Sequence, residues 1–223
     1  KKHITKGQTI ILESTSYPGT TEERIVSVFR KKFIIGRELF VGFSPERINP
    51  GKNENSIAKV PKVVSGATTS CLKIVSAFYG LFFNKVVKAK NIKMAEFSKI
   101  FENTYRAINI GFVNEMKLIS DKFNFDIFDV IKLAKTKPYG YTRFFPGPGV
   151  GGHCIPIDPL YLSYLSKKYK FDDKFIIIGS KIDKKLNIFI INKTKKYLEE
   201  KNLNHTNSKI LIIGLAYKKN IDD

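Results

Sequence analysis

The residue best placed to do chemistry is Cys154. It closes the run Phe145-Pro146-Gly147-Pro148-Gly149-Val150-Gly151-Gly152-His153 and has a carboxylate, Asp158, four positions further on. Glycines let a backbone approach a ligand closely, and prolines give such a loop a fixed shape. Gly149, Gly151 and Gly152 lead straight to the thiol, and exposed N–H groups in such loops can hold phosphate or sugar oxygens. A thiol delivered this way is a candidate nucleophile for covalent catalysis. Taken alone, a lone cysteine reads more readily as a buried structural residue after an ordinary turn. Lys99 and Asn103 are four residues apart, so on a helix they share a face, with Glu96 and Arg106 on the same side. A cation and an amide so paired can stabilise a developing oxyanion; a solvated polar face is the plain alternative. Ser14 and Thr15 follow one apolar run, and Glu46 and Arg47 follow another. Glu46 is a candidate general base and Arg47 a candidate anion contact, or the two form a solvated charge pair. His153 adjoins Cys154, but neighbouring side chains diverge, which makes it a poor base for that thiol. No set of Cys, His and carboxylates has metal-ligand spacing, so no metal is expected.

These residues need elements to hold them. Gln8–Glu13 reads as a buried strand that runs into Ser14-Thr15-Ser16-Tyr17-Pro18-Gly19, and Thr20 with Glu23 forms a capping-box pattern for a helix to about Arg30. Leu39–Phe43, Lys62–Ser65 and Lys85–Ala89 read as further strands, 53–59 as irregular loop, and 66–78 as a turn and helix with Cys71 in its core face. Strands alternating with helices imply βαβ units and a parallel sheet, in which ligands bind beyond the carboxyl ends of the strands. From Ile92 to about Phe123 the chain reads as one long helix with an apolar stripe at Phe97, Phe101, Tyr105, Ile108, Phe112 and Met116; periodicity leaves open whether that stripe is core or dimer interface. Asp126–Lys135, Pro156–Tyr169 and Asp172–Lys201 read as helices, the second with Asp158 in its first turn. After a polar linker, Lys209–Lys218 reads as a buried strand.

Composition narrows the class. The chain has 223 residues, two cysteines and a formal charge of +19 from 39 basic and 20 acidic residues. Its lysines are scattered rather than blocked, which argues against nucleic-acid binding, and no run of apolar residues is long enough for a membrane span. Two cysteines imply no disulfide framework and point to a reducing cytoplasm. No Gly-x-Gly-x-x-Gly follows any of the strands, although a dinucleotide fold carries that fingerprint in its first βα turn.

Several segments together resemble the UDP-glucose/GDP-mannose dehydrogenase family of nucleotide-sugar 6-dehydrogenases. They are Ser14-Thr15 with Pro18-Gly19-Thr20, Ser44-Pro45-Glu46-Arg47-Ile48-Asn49-Pro50-Gly51, Ala95-Glu96-Phe97-Ser98-Lys99 with Asn103, and Pro146 to Pro159 around Cys154. Gly214-Leu215-Ala216-Tyr217-Lys218 with Asp222 is similar to the opening of the family's last domain. The form of the Glu46 and Cys154 motifs is closest to the branch acting on UDP-N-acetylhexosamines. The resemblance implies an α/β chain in three parts: the C-terminal part of an NAD-binding Rossmann-like domain over 1–90, a largely helical central dimerisation domain over 91–202, and the first strand of a second Rossmann-like, UDP-sugar-binding domain over 203–223.

The implied activity is NAD-dependent, two-step oxidation of the sugar C6 hydroxyl to a carboxylate, supplying uronic acids for surface polysaccharide. By resemblance, Cys154 forms the thiohemiacetal and thioester, Lys99 and Asn103 stabilise oxygen charge, and Glu46 is the base in hydrolysis. Thr15 and Asp158 position water or the reacting hydroxyl. Ser14, Thr15 and Glu46 face NAD, while Lys99, Asn103, Arg106, Gly149, Gly151 and Gly152 face the UDP-sugar. A cytoplasmic homodimer joined through the central helices is implied. The chain departs from the family at Gly179-Ser180-Lys181-Ile182-Asp183, where an arginine and an asparagine are usual. The alternative is a truncated remnant that only dimerises.

Overall fold

The structure, a computed structural model, describes residues 3–48, 54–214 and 216, without the side chains of 54–56 and 180. Two compact units are present, Lys1–Glu102 and Asn103–Asp223.

The first unit is built on four strands: β1 (Thr9–Leu12), β2 (Phe40–Phe43), β3 (Lys62–Gly66) and β4 (Val86–Lys88), in the spatial order β1-β2-β3-β4. Between β1 and β2 the chain forms a π-helical turn, Glu22–Val26, continued by the short α1 (Ser27–Phe29). The crossover lets β2 lie parallel to β1, with Ile11 opposite Gly42. Likewise α2 (Thr69–Gly80) carries the chain from β3 to a parallel β4. The pairing of β2 with β3 is antiparallel, Phe43 opposite Ser65, which corrects the expectation of an all-parallel sheet. The physical reason lies in the connection: an antiparallel neighbour needs no helical crossover, and the described residues of this link form a 3-10 helix, Glu54–Lys59, where irregular loop was expected.

Apolar side chains from both sheet faces make the core. Val26, Leu39 and Val41 form one cluster, Phe43, Ile92 and Ala95 a second, and Val64, Val75 and Tyr79 a third. Each fully buried Val, Leu or Phe contributes roughly 1.5–3 kcal/mol as an upper bound. Cys71 is in this core, as its apolar neighbours implied. Thr68 caps α2, its side chain accepting from the Cys71 N–H at 3.2 Å. The capping box read at Thr20 and Glu23 does not form. The Thr20 hydroxyl donates to the Tyr17 carbonyl, and the Glu23 carboxylate accepts from the Tyr17 hydroxyl.

The long helix α3 (Ile92–Lys122) starts in the first unit and continues into the second. The second unit adds α4 (Ile127–Lys135), α5 (Cys154–Lys168) and α6 (Lys174–Glu200). Asp126 caps α4 by accepting from the Phe128 N–H, and Val113, Ile127 and Ile131 pack together with Met116 and Phe144. The aromatic stripe of α3 is not core in this chain: Phe97, Phe101, Tyr105 and Phe112 are each 46% to 60% exposed.

Two expectations about elements need correction. Helix α5 begins at Cys154 itself, so the thiol takes the first turn and Asp158 lies beyond it. The strand read at Lys209–Lys218 is absent over 209–214, where Ile210, Leu211, Ile212 and Ile213 are exposed. Residues 215 and 217–223, and Asn49, Pro50 and Gly51 of the Glu46 motif, lie outside the described residues.

Candidate active site

In the second unit, the loop from Phe145 to His153 turns on three left-handed glycines, Gly149 (φ 101°), Gly151 (φ 63°) and Gly152 (φ 72°). A side chain at these φ values is strained, so the path to the thiol depends on glycine. Cys154 emerges exposed on the first residue of α5. One turn further along the same face, Asp158 is almost fully buried. Its Oδ2 accepts from the Asn103 Nδ2 at 2.5 Å. Asn103 is equally buried, and this contact ties α3 to α5 one turn from the thiol. Arg106 is exposed. Of the residues read as chemical, this unit brings together Asn103, Asp158, Cys154 and the glycine loop.

The first unit carries the others. Ser14 is exposed and Thr15 half-buried, both just beyond the carboxyl end of β1. Beside them the Ser16 hydroxyl is buried with no partner among the described residues. Glu46 follows β2, exposed, and is held from two sides. Its Oε1 accepts the Ile48 N–H at 2.5 Å, and its Oε2 lies 3.7 Å from Lys62 Nζ. The Lys62 side chain is only 4% exposed. It also meets Glu13 Oε1 at 3.0 Å and lies over the rings of Tyr79 and Phe83. The Tyr79 hydroxyl donates to Glu13 at 2.7 Å. Burial, and then the bond to the Glu13 carboxylate, push the Tyr79 hydroxyl well above its ordinary range. Burial pushes the Glu13 carboxyl up, but the bonds from Tyr79 and Lys62 outweigh it and hold it below its ordinary value. Arg47, a candidate anion contact or a charge partner of Glu46 in the sequence, gives its guanidinium to Glu102 Oε1 at 2.7 Å and to the Pro61 carbonyl at 3.0 Å. Lys99, half-buried on α3, completes the first unit's share.

Three residues were passed over in the sequence. Glu96, read as one member of a polar face, is 1% exposed. It accepts from the Gly19 N–H at 2.5 Å, the Thr21 N–H at 2.8 Å and the Thr21 hydroxyl at 2.7 Å, fixing the turn that follows Thr15. Lys62 stood inside an apolar strand, a position where a lysine is rare unless paired. Asn114 interrupts the apolar side of α3 and is completely buried.

Residues 1–83 match the NAD binding domain of the UDP-glucose/GDP-mannose dehydrogenase family, and residues 93–185 its central domain. The chain is 38% identical to Protein CapL of Staphylococcus aureus and 35% identical to UDP-N-acetyl-D-glucosamine 6-dehydrogenase of Pseudomonas aeruginosa, each over 100% of its length and 53% of theirs. Among solved structures, the native UDP-N-acetyl-mannosamine dehydrogenase Cap5O from S. aureus matches 100% of this chain and 50% of its own, with a TM-score of 0.84 at 31% identity. The chain spans about half the length of the curated relatives it matches. NAD is the cofactor that the first matched domain names, and the open strand ends with the unpartnered Ser16 hydroxyl suit a ligand there. With two of its domain models matched in order along most of the sequence, and relatives of this identity aligned over the whole of this chain, the chain belongs to the UDP-glucose/GDP-mannose dehydrogenase family.

Proposed function

We propose that this chain carries the catalytic residues of an NAD-dependent UDP-N-acetylhexosamine 6-dehydrogenase that makes uronic acids for surface polysaccharide. The observation that carries the reading is the Asn103–Asp158 bond one helical turn from an exposed thiol at the start of α5. Its relatives in P. aeruginosa and S. aureus bear names of this activity. Ser14, Thr15 and Glu46, at the strand ends, line the NAD side, and Arg106 with the loop of Gly149, Gly151 and Gly152 lines the UDP-sugar side. NAD, when bound, accepts the hydride in each of the two oxidations.

The chain's own residues do the rest. Thr15 and Asp158 orient the C6 hydroxyl and a water beside it; the hydroxyl proton passes to that water as the C6 carbon gives up a hydride, and the C6–O bond becomes the aldehyde carbonyl. The Cys154 sulfur adds to that carbonyl carbon, forming a C–S bond and a thiohemiacetal oxyanion. Lys99 and the second N–H of Asn103 hold that oxygen, each such donor contributing roughly 3 kcal/mol to the transition state. Loss of the second hydride leaves a thioester. Glu46 takes a proton from water, which attacks the thioester carbon, breaks the C–S bond and returns the thiolate. Covalent capture keeps the aldehyde bound and divides a difficult oxidation into two steps. Residues 203–223 are read as the start of the UDP-sugar domain, and the exposed aromatic face of α3 as the homodimer contact. The two free thiols suit a cytoplasmic enzyme.

The test uses the complete reading frame that encodes this chain, incubated with NAD and UDP-N-acetylhexosamines. Two NADH per sugar and an acidic product are expected, and Cys154→Ser should abolish acid formation. An unchanged NADH yield in that variant overturns the mechanism. Absence of turnover in the wild type, with a stable dimer, favours the remnant that only dimerises.

A further inference from the structure

Asn114 is completely buried, yet both ends of its amide are bonded. Its Nδ2 donates to Asp183 Oδ1 on α6 at 2.7 Å, and its Oδ1 accepts the Gly147 N–H, at the start of the glycine-rich loop, at 3.1 Å. The helices meet closely beside it: a Cβ placed on Gly111 would come within 3.0 Å of the Gly179 Cα, one helical turn away from the Asn114–Asp183 bond on both α3 and α6. That close contact sets where Asn114 and Asp183 lie, because their positions follow from the helix crossing rather than from flexible stems. Asp183 and Gly179 also line a small cavity under the start of α5, together with Val150, Ile155 and Pro159. The loop is also held at Phe144, packed against Val113 and edge-on to Tyr105, and at Phe145, stacked on Phe128.

A primary amide can donate to a carboxylate and accept from a backbone N–H at once. We infer that Asn114 is a positioning residue: with Asp183 it orients the Gly147 end of the loop and so sets where the loop releases Cys154 onto α5. The inference rests on the proposed role of Cys154 only for its consequence; the clamp itself is a matter of loop order. It is tested without NAD or sugar, so its failure and that of the catalytic reading are separable.

The measurement is hydrogen–deuterium exchange of the peptide spanning 145–153 in the 223-residue chain, with peptides from α4 and β3 as references. Asn114→Leu removes both bonds and should raise exchange of that peptide at least tenfold while the reference peptides change less than twofold. The swap Asn114→Asp with Asp183→Asn moves the donor to position 183 and leaves position 114 two acceptor oxygens, so both bonds can form with the direction of one reversed. It should return loop exchange to within threefold of wild type. Loop exchange within twofold of wild type in Asn114→Leu overturns the inference, as does a uniform rise in every peptide. If Asn114→Leu does not fold, the swap decides: a folded swap whose loop exchanges tenfold faster than wild type overturns it, and one within threefold supports it.

Discussion

Asn103 Nδ2 and Asp158 Oδ2 are 2.5 Å apart although 55 residues separate them in the chain. Both side chains are buried, so neither can exchange its partner for water. Asp158→Ala should therefore strand the Asn103 amide and cost about 1–3 kcal/mol, the usual penalty of an unsatisfied buried polar group. Asp158→Asn retains an acceptor of the same shape and should cost less than about 1 kcal/mol. Urea denaturation followed by circular dichroism separates the two; equal losses would show that the bond is not what holds α3 to α5.

The two thiols should behave oppositely. Cys154 is exposed and Cys71 is fully buried, accepting the Val41 N–H and the Thr68 hydroxyl. Iodoacetamide on the native chain should add one group, mapped to Cys154 by mass spectrometry, and a second only after denaturation. Early labelling of Cys71 would contradict the described core.

Glu96 gathers three donors from the turn after Thr15. Glu96→Ala leaves all three unpaired in a buried place and should destabilise the chain by about 3 kcal/mol. Glu96→Gln keeps a single acceptor oxygen and should fall between that variant and wild type. A wild-type urea midpoint for Glu96→Ala would mean that water replaces the carboxylate freely.

Two carboxyls give stability opposite dependences on pH. Burial pushes Asp183 above its ordinary range, and the bond from Asn114 offsets only part of that. The folded chain then holds this proton more tightly than the unfolded chain, so stability falls as pH rises from the ordinary carboxylate value through the raised one. Asp183→Asn removes that loss, and its urea midpoint relative to wild type should be higher at pH 7 than at pH 4. Glu13 has the reverse sign. Its net lowered value contributes stability that is fully present above the ordinary carboxylate value and lost as pH falls through the lowered one. Glu13→Gln should cost stability at pH 7, and the deficit should shrink toward pH 3. Differences independent of pH would refute either assignment.

The aromatic face of α3 exposes Phe97 stacked on Phe101, with Tyr105 and Phe112 along the same side. A face of that kind on a lone chain calls for a partner surface. If it is the homodimer contact, Phe101→Glu should convert a dimer into a monomer by light scattering at micromolar concentration, with little change in helix content. A monomeric wild type would remove the dimer proposal.

Local pattern was enough to locate most of the elements. The strands around Ile10, Val41, Val63 and Val87 follow from short apolar runs ended by turn residues, and the long helices follow from their three- and four-residue apolar steps, because both signals reside within a few neighbouring residues. Cys154 and its glycines were legible for the same reason: the loop's conformation is written in its own residue types. What the sequence by itself could not settle depends on partners distant along the chain. The antiparallel turn between β2 and β3, the burial of Glu96 against Thr21, the commitment of Arg47 to Glu102 and the clamp of Asn114 on Gly147 and Asp183 each join residues far apart in order. A polar side chain on a helix reads the same whether water or a buried donor satisfies it. Only the packing of one element on another decides which, since that removes the water and leaves a single partner within reach.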